Sequence, residues 1–416
     1  MGAVGRVAVV GAGYAGLAAA VTLAEHGVAV TVFEAGAVPG GRARRVRARG
    51  RELDNGQHIL LGAYATLLGL MRRVGVPSDA VLRVPLELRY ADGFALRALW
   101  LPAPLGLLAG LALARGLALA ERLGAVRFMR ALAATGWRIS PDCTVADLLA
   151  RHRQEGRAGR YLWRPLCVSA LNTPPEQASA QVFVTVLRDS LGRGDEACDL
   201  LLPRIDLSRL FPDSGAEFVR ARGGTLKFST PVRALSADLR VNGEACSHVI
   251  LAVGPHQLKP FAALLGPLPE YAYQPIYTCY LQYPPAVRLP FPMLGLSRGL
   301  VQWVFDRGQL AGRPGLLSCM ISARGGHQQL THQELERVCH RELAHAIPGL
   351  PDPEWSQTIA EKRATFSCAP GVVRPACDTP TPGLYLAGDY TDPEYPPTLE
   401  AAVRSGVRAA HKVLDD

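Results

Sequence analysis

With 416 residues, 49% of them hydrophobic, the chain can bury two cores, which excludes a disordered polypeptide and sets two domains as the expectation. Its formal charge of +9 comes almost entirely from scattered arginines, because only Lys227, Lys259, Lys362 and Lys412 are lysines. Without aromatic interleaving, zinc spacing or a helix-turn-helix pattern, nucleic-acid binding finds no support. The nine cysteines are odd in number, far apart and without a Cys-x-x-Cys pair, so no disulfide framework and no metal site are expected, and the chain reads as cytoplasmic.

The first elements are a strand, a glycine turn, a helix and a second strand, read from "RVAVVGAGYAGLAAAVTLAEHGVAVTVFEA". Its apolar start is not a secretory signal, since glycines punctuate it and Glu25 and His26 close it. Gly11, Gly13 and Gly16 stand in the Gly-x-Gly-x-x-Gly spacing. Gly11 permits the tight turn, Gly13 lets the backbone approach a pyrophosphate, and Gly16 lets helix and strand pack closely. The helix start, with Tyr14 and Ala15, offers unpaired N–H groups to phosphates. Glu34, twenty-one residues after Gly13 and next to Ala35, is placed to accept hydrogen bonds from a ribose diol, which favours FAD or NAD.

The next stretch, "EAGAVPGGRARR", adds Gly40, Gly41 and Arg42. It resembles the FAD signature of the amine-oxidase and phytoene-desaturase type flavoproteins. The resemblance implies that the cofactor is FAD and that Gly41 and Arg42 reach its diphosphate. It also implies an α/β fold, with a Rossmann-like FAD-binding domain and a discontinuous mixed α+β substrate domain. Arg42, Arg44, Arg45, Arg47, Arg49 and Arg51 read either as a patch for anionic lipid or as the solvated face of a strand. "DNGQHILLGAY", residues 54–64, is similar to a segment of carotene desaturases that runs along the flavin ring. By that resemblance Asp54 and His58 are candidates for a proton donor or its orienting partner, and residues 59–61 for a tunnel wall. The alternatives are that Asp54 caps the loop and that His58 bonds a backbone carbonyl or a flavin edge.

Residues 99–114 carry no charge but are too short to span a bilayer and are broken by Pro102 and Pro104. They read either as a core helix or as a monotopic surface, with residues 99–130 and their arginines Arg115, Arg122, Arg127 and Arg130 at the membrane interface. "GAEFVRARGGTLKFSTPVRAL" predicts a helix, a Gly-Gly turn and two short strands, where the family sets a valine backbone, here Val232, against the adenine. "SHVILAVGPHQL" predicts a buried strand over residues 249–253, broken by Gly254 and Pro255. The carboxyl end, "PGLYLAGDYTDPEYPPTLEAAVRSGVRAAHKVL", predicts a strand over residues 384–387, then Gly388 and Asp389, a proline-rich loop and a helix from Thr398. The flavoprotein resemblance places Gly388 and Asp389 at the ribitol or diphosphate, and Thr398 and Leu399 at the flavin pyrimidine edge, where a helix dipole favours negative charge. The expected division is 1–75, 213–260 and 362–416 for the FAD-binding domain, with 76–212 and 261–361 for the substrate domain.

"WRPL", "ALNTPPEQASA" and "LLLPRIDLSRLF" narrow the resemblance to the bacterial hydroxysqualene dehydroxylases, and "EKRATFSCAP" agrees with it. That branch implies reductive removal of the hydroxyl of hydroxysqualene to give squalene, a hopanoid precursor, at the expense of reduced FAD. It further implies an acid beside the flavin, an allylic carbocation in an apolar pocket, and peripheral contact with the cytoplasmic face of the inner membrane. No second nicotinamide motif is visible, so the electron donor or reductase stays unassigned. A carotenoid or phytoene-type desaturase, a flavin amine oxidase, and a lipid-binding protein that keeps FAD as a relic are the competing readings.

Overall fold

The computed structural model describes residues 5–99, 101, 105–191 and 196–416. Five short strands form a parallel sheet in the order Thr225–Lys227, Val30–Phe33, Val7–Val10, His248–Leu251 and Leu384–Leu386. Val7–Val10 and Val30–Phe33 are buried at every position, as strands covered on both faces must be. Helix Tyr14–Glu25 supplies one cover and is buried from Tyr14 to Ala24. Helix Leu399–Asp415 crosses it almost backbone to backbone, because a Cβ on Gly406 would stand 2.0 Å from the carbonyl oxygen of Ala15. Since the strands are parallel, their carboxyl ends open on one side, where ligands of such sheets bind.

A second, antiparallel sheet runs in the order Met293–Gly295, Trp303–Asp306, Leu316–Ser322, Tyr273–Gln282 and Trp355–Phe366. Its side chains alternate between faces with the period of two that strands impose. Tyr277, Cys279, Val304, Cys319 and Ile321 pack with Leu335, Cys339 and Leu343 of helix His332–Ala346. Trp303, Phe305 and Met320 belong instead to a core shared with the helical block. That block contains helices Leu105–Leu113, Leu119–Ala134, Val145–Arg151, Arg164–Leu171 and Ala180–Leu191. The α/β architecture expected from the sequence is therefore present, with a mixed second region.

The apolar stretch of residues 99–114 yields a helix of only 9 residues. Among the described residues no helix is long and apolar enough to cross a membrane. Trp100 and residues 102–104, which belong to that stretch, lie outside the described residues. After the Gly-Gly turn one strand forms, Thr225–Lys227, rather than two. Ser229 has φ of 51° and Pro231 has no N–H, so the chain that carries Val232 cannot continue a ladder.

Two buried side chains fasten the parts. Asn172 ends helix Arg164–Leu171 in the left-handed region. Its amide donates to Thr365 Oγ1 at 3.0 Å and accepts from the N–H of Ala323 at 2.8 Å, so it clasps the helical block to both neighbouring strands. Glu400 accepts from the N–H groups of Thr66 and Leu67 at 3.0 and 2.9 Å. Helix Ala65–Arg73 has no cap from its own N-cap side chain, and Glu400 satisfies two of its orphan donors.

Gly406→Ala is expected to cost about 1–3 kcal/mol through overpacking. Gly69→Ala, on helix Ala65–Arg73 where an added Cβ meets only the tip of Arg72 at 4.0 Å, is expected to stabilise by up to about 1 kcal/mol. Urea denaturation measures both; a neutral Gly406→Ala would contradict the close crossing.

Candidate active site

The first strand leaves the sheet at Gly11 with φ of +102°, and a Cβ there would meet the Ala252 carbonyl oxygen at 2.7 Å. Gly16 is stricter still, since its Cβ would stand 1.9 Å from the carbonyl oxygen of Gly11. Gly13 caps helix Tyr14–Glu25 without a side chain, which leaves the first N–H groups of that helix open to a ligand. The second glycine loop lies directly on this turn. Gly40 donates its N–H to the carbonyl of Ala12 at 2.8 Å, and a Cβ on Gly41 would stand 3.2 Å from the Cα of Gly13. Glu34 accepts from the N–H groups of Ala12 and Gly36, each at 2.7 Å, which fixes its carboxylate at the edge of the turn with lone pairs to spare.

Arg42 donates to the Asp389 carboxylate at 2.8 Å and to the Ala364 carbonyl at 2.7 Å. Asn55 donates to the Arg42 carbonyl at 3.0 Å and to Glu361 at 3.1 Å. Around them opens one continuous cavity of about 940 Å³. The glycine turns, Arg42, Val232, Asp389 and the start of helix Leu399–Asp415 line one end, and leucines of the helical block with Trp303 and Met320 line the other. All the residues expected from the sequence to bind FAD or to catalyse line this cavity except Gly16 and Asp54.

The polar end has the character of an incomplete site. His58 Nδ1, Asp389 Oδ1 and the Tyr390 hydroxyl are buried without a hydrogen-bond partner, and all three residues line the cavity. Buried polar atoms are ordinarily satisfied, so a ligand rich in hydrogen-bonding edges fits here. A nucleotide with a heteroaromatic ring has that chemistry, and the glycine turns leave its phosphates room.

His58 has its imidazole pKa pushed down to about 4 by burial and by the nearby Arg42 charge. It is therefore uncharged at neutral pH, which disfavours it as a reservoir of protons. Asp54 faces away from the cavity. Its carboxylate accepts from the N–H of Leu207 at 2.8 Å and stands 3.6 Å from Arg307. Arg307 in turn donates to Gln57, Gln57 to the Tyr280 hydroxyl, and Tyr280 to the Asp54 carbonyl. Asp54 is thus a member of a closed ring that holds the loop carrying Gln57 and His58. Burial raises its pKa to about 6, with Arg307 pulling the other way.

Sequence reasoning passed over Asp189 and Trp303, which line the cavity. The only local signal for Asp189 is an Arg-Asp pair that closes the uncharged run "AQVFVTVL".

A carboxyl whose folded pKa is raised binds its proton more tightly in the folded state, so its contribution to stability is full below about pH 4 and lost as the pH rises to about 6, a change of about 3 kcal/mol. The stability of wild type minus that of Asp54→Asn is expected to fall across this window in pH-dependent urea denaturation. A flat or rising difference would contradict the burial of an ionisable Asp54.

Comparison with known proteins gives a consistent result. The family model described as flavin containing amine oxidoreductase matches residues 14–414. The hydroxysqualene dehydroxylase of Rhodopseudomonas palustris is 31% identical over 436 residues, covering 98% of both chains, and that of Sinorhizobium fredii 30% identical over 428 residues, covering 99% of both. Identity is 25% with a probable zeta-carotene desaturase of Synechococcus elongatus, over 99% of this chain and 98% of that one. Among solved structures, a putative protoporphyrinogen oxidase from Exiguobacterium superposes with a TM-score of 0.71 at 17% identity over 99% of both chains, which speaks for the fold alone. The chain belongs to the flavin-containing amine oxidoreductases and, among them, to the hydroxysqualene dehydroxylase family, and it is an FAD-dependent oxidoreductase.

Proposed function

We propose that this chain removes the hydroxyl of hydroxysqualene and replaces it with hydrogen, giving squalene as a precursor of hopanoids. The observation that carries the reading is the single cavity with an unsatisfied polar end and a leucine-lined apolar end. In this reading Glu34 holds the ribose of FAD and Val232 borders the adenine. The N–H groups after Gly13, with Gly41 and Arg42, hold the diphosphate, while Asp389, Thr398 and Leu399 border the flavin. His58, uncharged, supplies a hydrogen bond at that end. Reduced FAD supplies a hydride when bound. The division into residues 1–75, 213–260 and 362–416 for the cofactor and 76–212 and 261–361 for the substrate follows the same reading.

The apolar end does two things for such a substrate. It takes up a hydrocarbon that gains about 0.8 kcal/mol for each methylene removed from water, and it keeps water from a developing carbocation. Helix Leu105–Leu113 links this end to the surface: Leu107 and Leu111 line the cavity, while Leu105 and Leu113 are 56% and 66% exposed. Leu99, Leu101, Leu119 and Leu123 are exposed beside them in sequence, with Arg115, Arg122, Arg127 and Arg130 in the same stretch. A surface of leucines edged with arginines suits peripheral binding to anionic lipid, and one short helix then separates the membrane from the cavity.

A carotenoid desaturase would use the same apolar end but run the redox chemistry in the opposite sense. A flavin amine oxidase is less well served. Tyr390 and Tyr395 line the cavity but do not form a ring pair among the described residues.

Anaerobic photoreduction of the FAD-loaded protein followed by hydroxysqualene is expected to yield squalene by mass spectrometry, with the flavin reoxidised. A flavin that stays reduced, and an oxidised protein that is instead reduced by phytoene-like polyenes, would move the activity to the desaturases. Leu105→Asp with Leu113→Asp is expected to weaken co-sedimentation with anionic vesicles at least about tenfold while FAD content is kept; unchanged vesicle binding would contradict the membrane surface.

A further inference from the structure

If the chain removes a hydroxyl as water, a proton must reach that oxygen, and the cavity limits where it comes from. The acidic residues lining it are Glu34, Asp189, Glu361 and Asp389. Glu34 is held by the glycine turn, Asp389 pairs with Arg42, and Glu361 accepts from Asn55 at the same polar end. Only Asp189 comes from the helical block.

Asp189 lies in the last turn of helix Ala180–Leu191 and is 4% exposed. Arg188 donates to its two carboxylate oxygens at 2.7 and 3.3 Å, and the Asp189 charge, after burial, raises the pKa of the nearby Tyr395 hydroxyl. Tyr395 is itself buried and lines the cavity. Its backbone N–H bonds Asp392 at 3.0 Å, Arg374 donates to its carbonyl, and the guanidinium of Arg404 stands 4.5 Å over its ring. Pro396 to Leu399, which follow it, line the cavity up to the start of the last helix. The pair therefore stands where the cofactor end meets the apolar end, which Val186, one turn before Ser190, also lines. On its outer side Arg188 approaches Glu394 at 3.6 Å, and the Glu394 side chain is 64% exposed, so the pair has a short way to solvent.

Resting on the dehydroxylase reading, we propose that Asp189 and Tyr395 dock the substrate's hydroxyl and protonate it as it leaves. Tyr395 O–H gives its proton to the hydroxyl oxygen, and the C–O bond breaks with both electrons going to oxygen, which departs as water. Asp189, protonated from solvent, returns a proton to the tyrosine oxygen. The hydride supplied by reduced FAD completes the bond at carbon, so alcohol, proton and hydride give hydrocarbon and water. Arg188 is a positioning residue for Asp189.

The test uses Asp189→Asn and Tyr395→Phe in the FAD-loaded protein, with hydroxysqualene and with its acetate ester, whose leaving group needs little protonation. Single-turnover reoxidation with the alcohol is expected to slow about 100-fold in each variant, with the ester slowed less than about threefold. Oxidised Tyr395→Phe is expected to bind hydroxysqualene about threefold to tenfold more weakly than wild type and squalene equally well. Equal slowing with both substrates, or unaltered turnover of the alcohol, would overturn the assignment. Wild-type protein that makes no squalene from hydroxysqualene would instead remove the dehydroxylase reading, and the proton assignment with it.

Discussion

Arg42 is the joint on which the site depends. Its guanidinium reaches the Asp389 carboxylate and the Ala364 carbonyl, tying together the second glycine loop, the end of the long antiparallel strand and the loop after the last parallel strand. Asp389 is 3% exposed, and a buried carboxylate stripped of its cation costs about 3–5 kcal/mol. Arg42 is thus held to two stretches that each lie more than 300 positions from it in sequence. Burial lowers the His58 pKa, and the same charge adds to that effect. One ion pair consequently shapes the polar end and contributes to its protonation.

The glycine turn was legible because its demands are local. A strand that must turn within two residues and bring a helix start against itself leaves no room for a Cβ at Gly11 or Gly16, and the sequence shows it directly. The last helix was legible for the same reason, through its small residues. Asp54 stayed ambiguous because its partners, the N–H of Leu207 and the side chain of Arg307, are remote in sequence; a loop acid reads alike whether it faces a cavity or a helix end. The motif "ALNTPPEQASA" identified the branch, but the structure gives Asn172 and Thr173 a fastening role: Thr173 accepts from the N–H of Cys368 at 3.1 Å. Asp189 and Tyr395 meet across 206 positions, and no periodicity announces such a meeting. The apolar run of residues 99–114 reads equally as core or as surface, and its helix has both characters, with Leu107 and Leu111 buried and Leu105 and Leu113 exposed.

The two ends of the cavity place opposite demands on the chain. The polar end needs backbone N–H groups and charges held without side chains in the way, which short parallel strands and glycine turns provide. The apolar end needs width and dryness, which helices and the inner face of the antiparallel sheet provide. Tyr395, Asp189 and the start of the last helix line this same cavity, so the two kinds of surface share one enclosure.

In the proposed reaction hydrogen replaces the hydroxyl at carbon, with reduced FAD as its source. The hydrogen that reduced FAD gives up exchanges with solvent, so a single turnover in deuterium oxide under anaerobic conditions is the most direct measurement. Squalene carrying one deuterium, at the carbon that lost its oxygen, is the expected product. Squalene without deuterium, or a product with additional double bonds, would contradict that reaction.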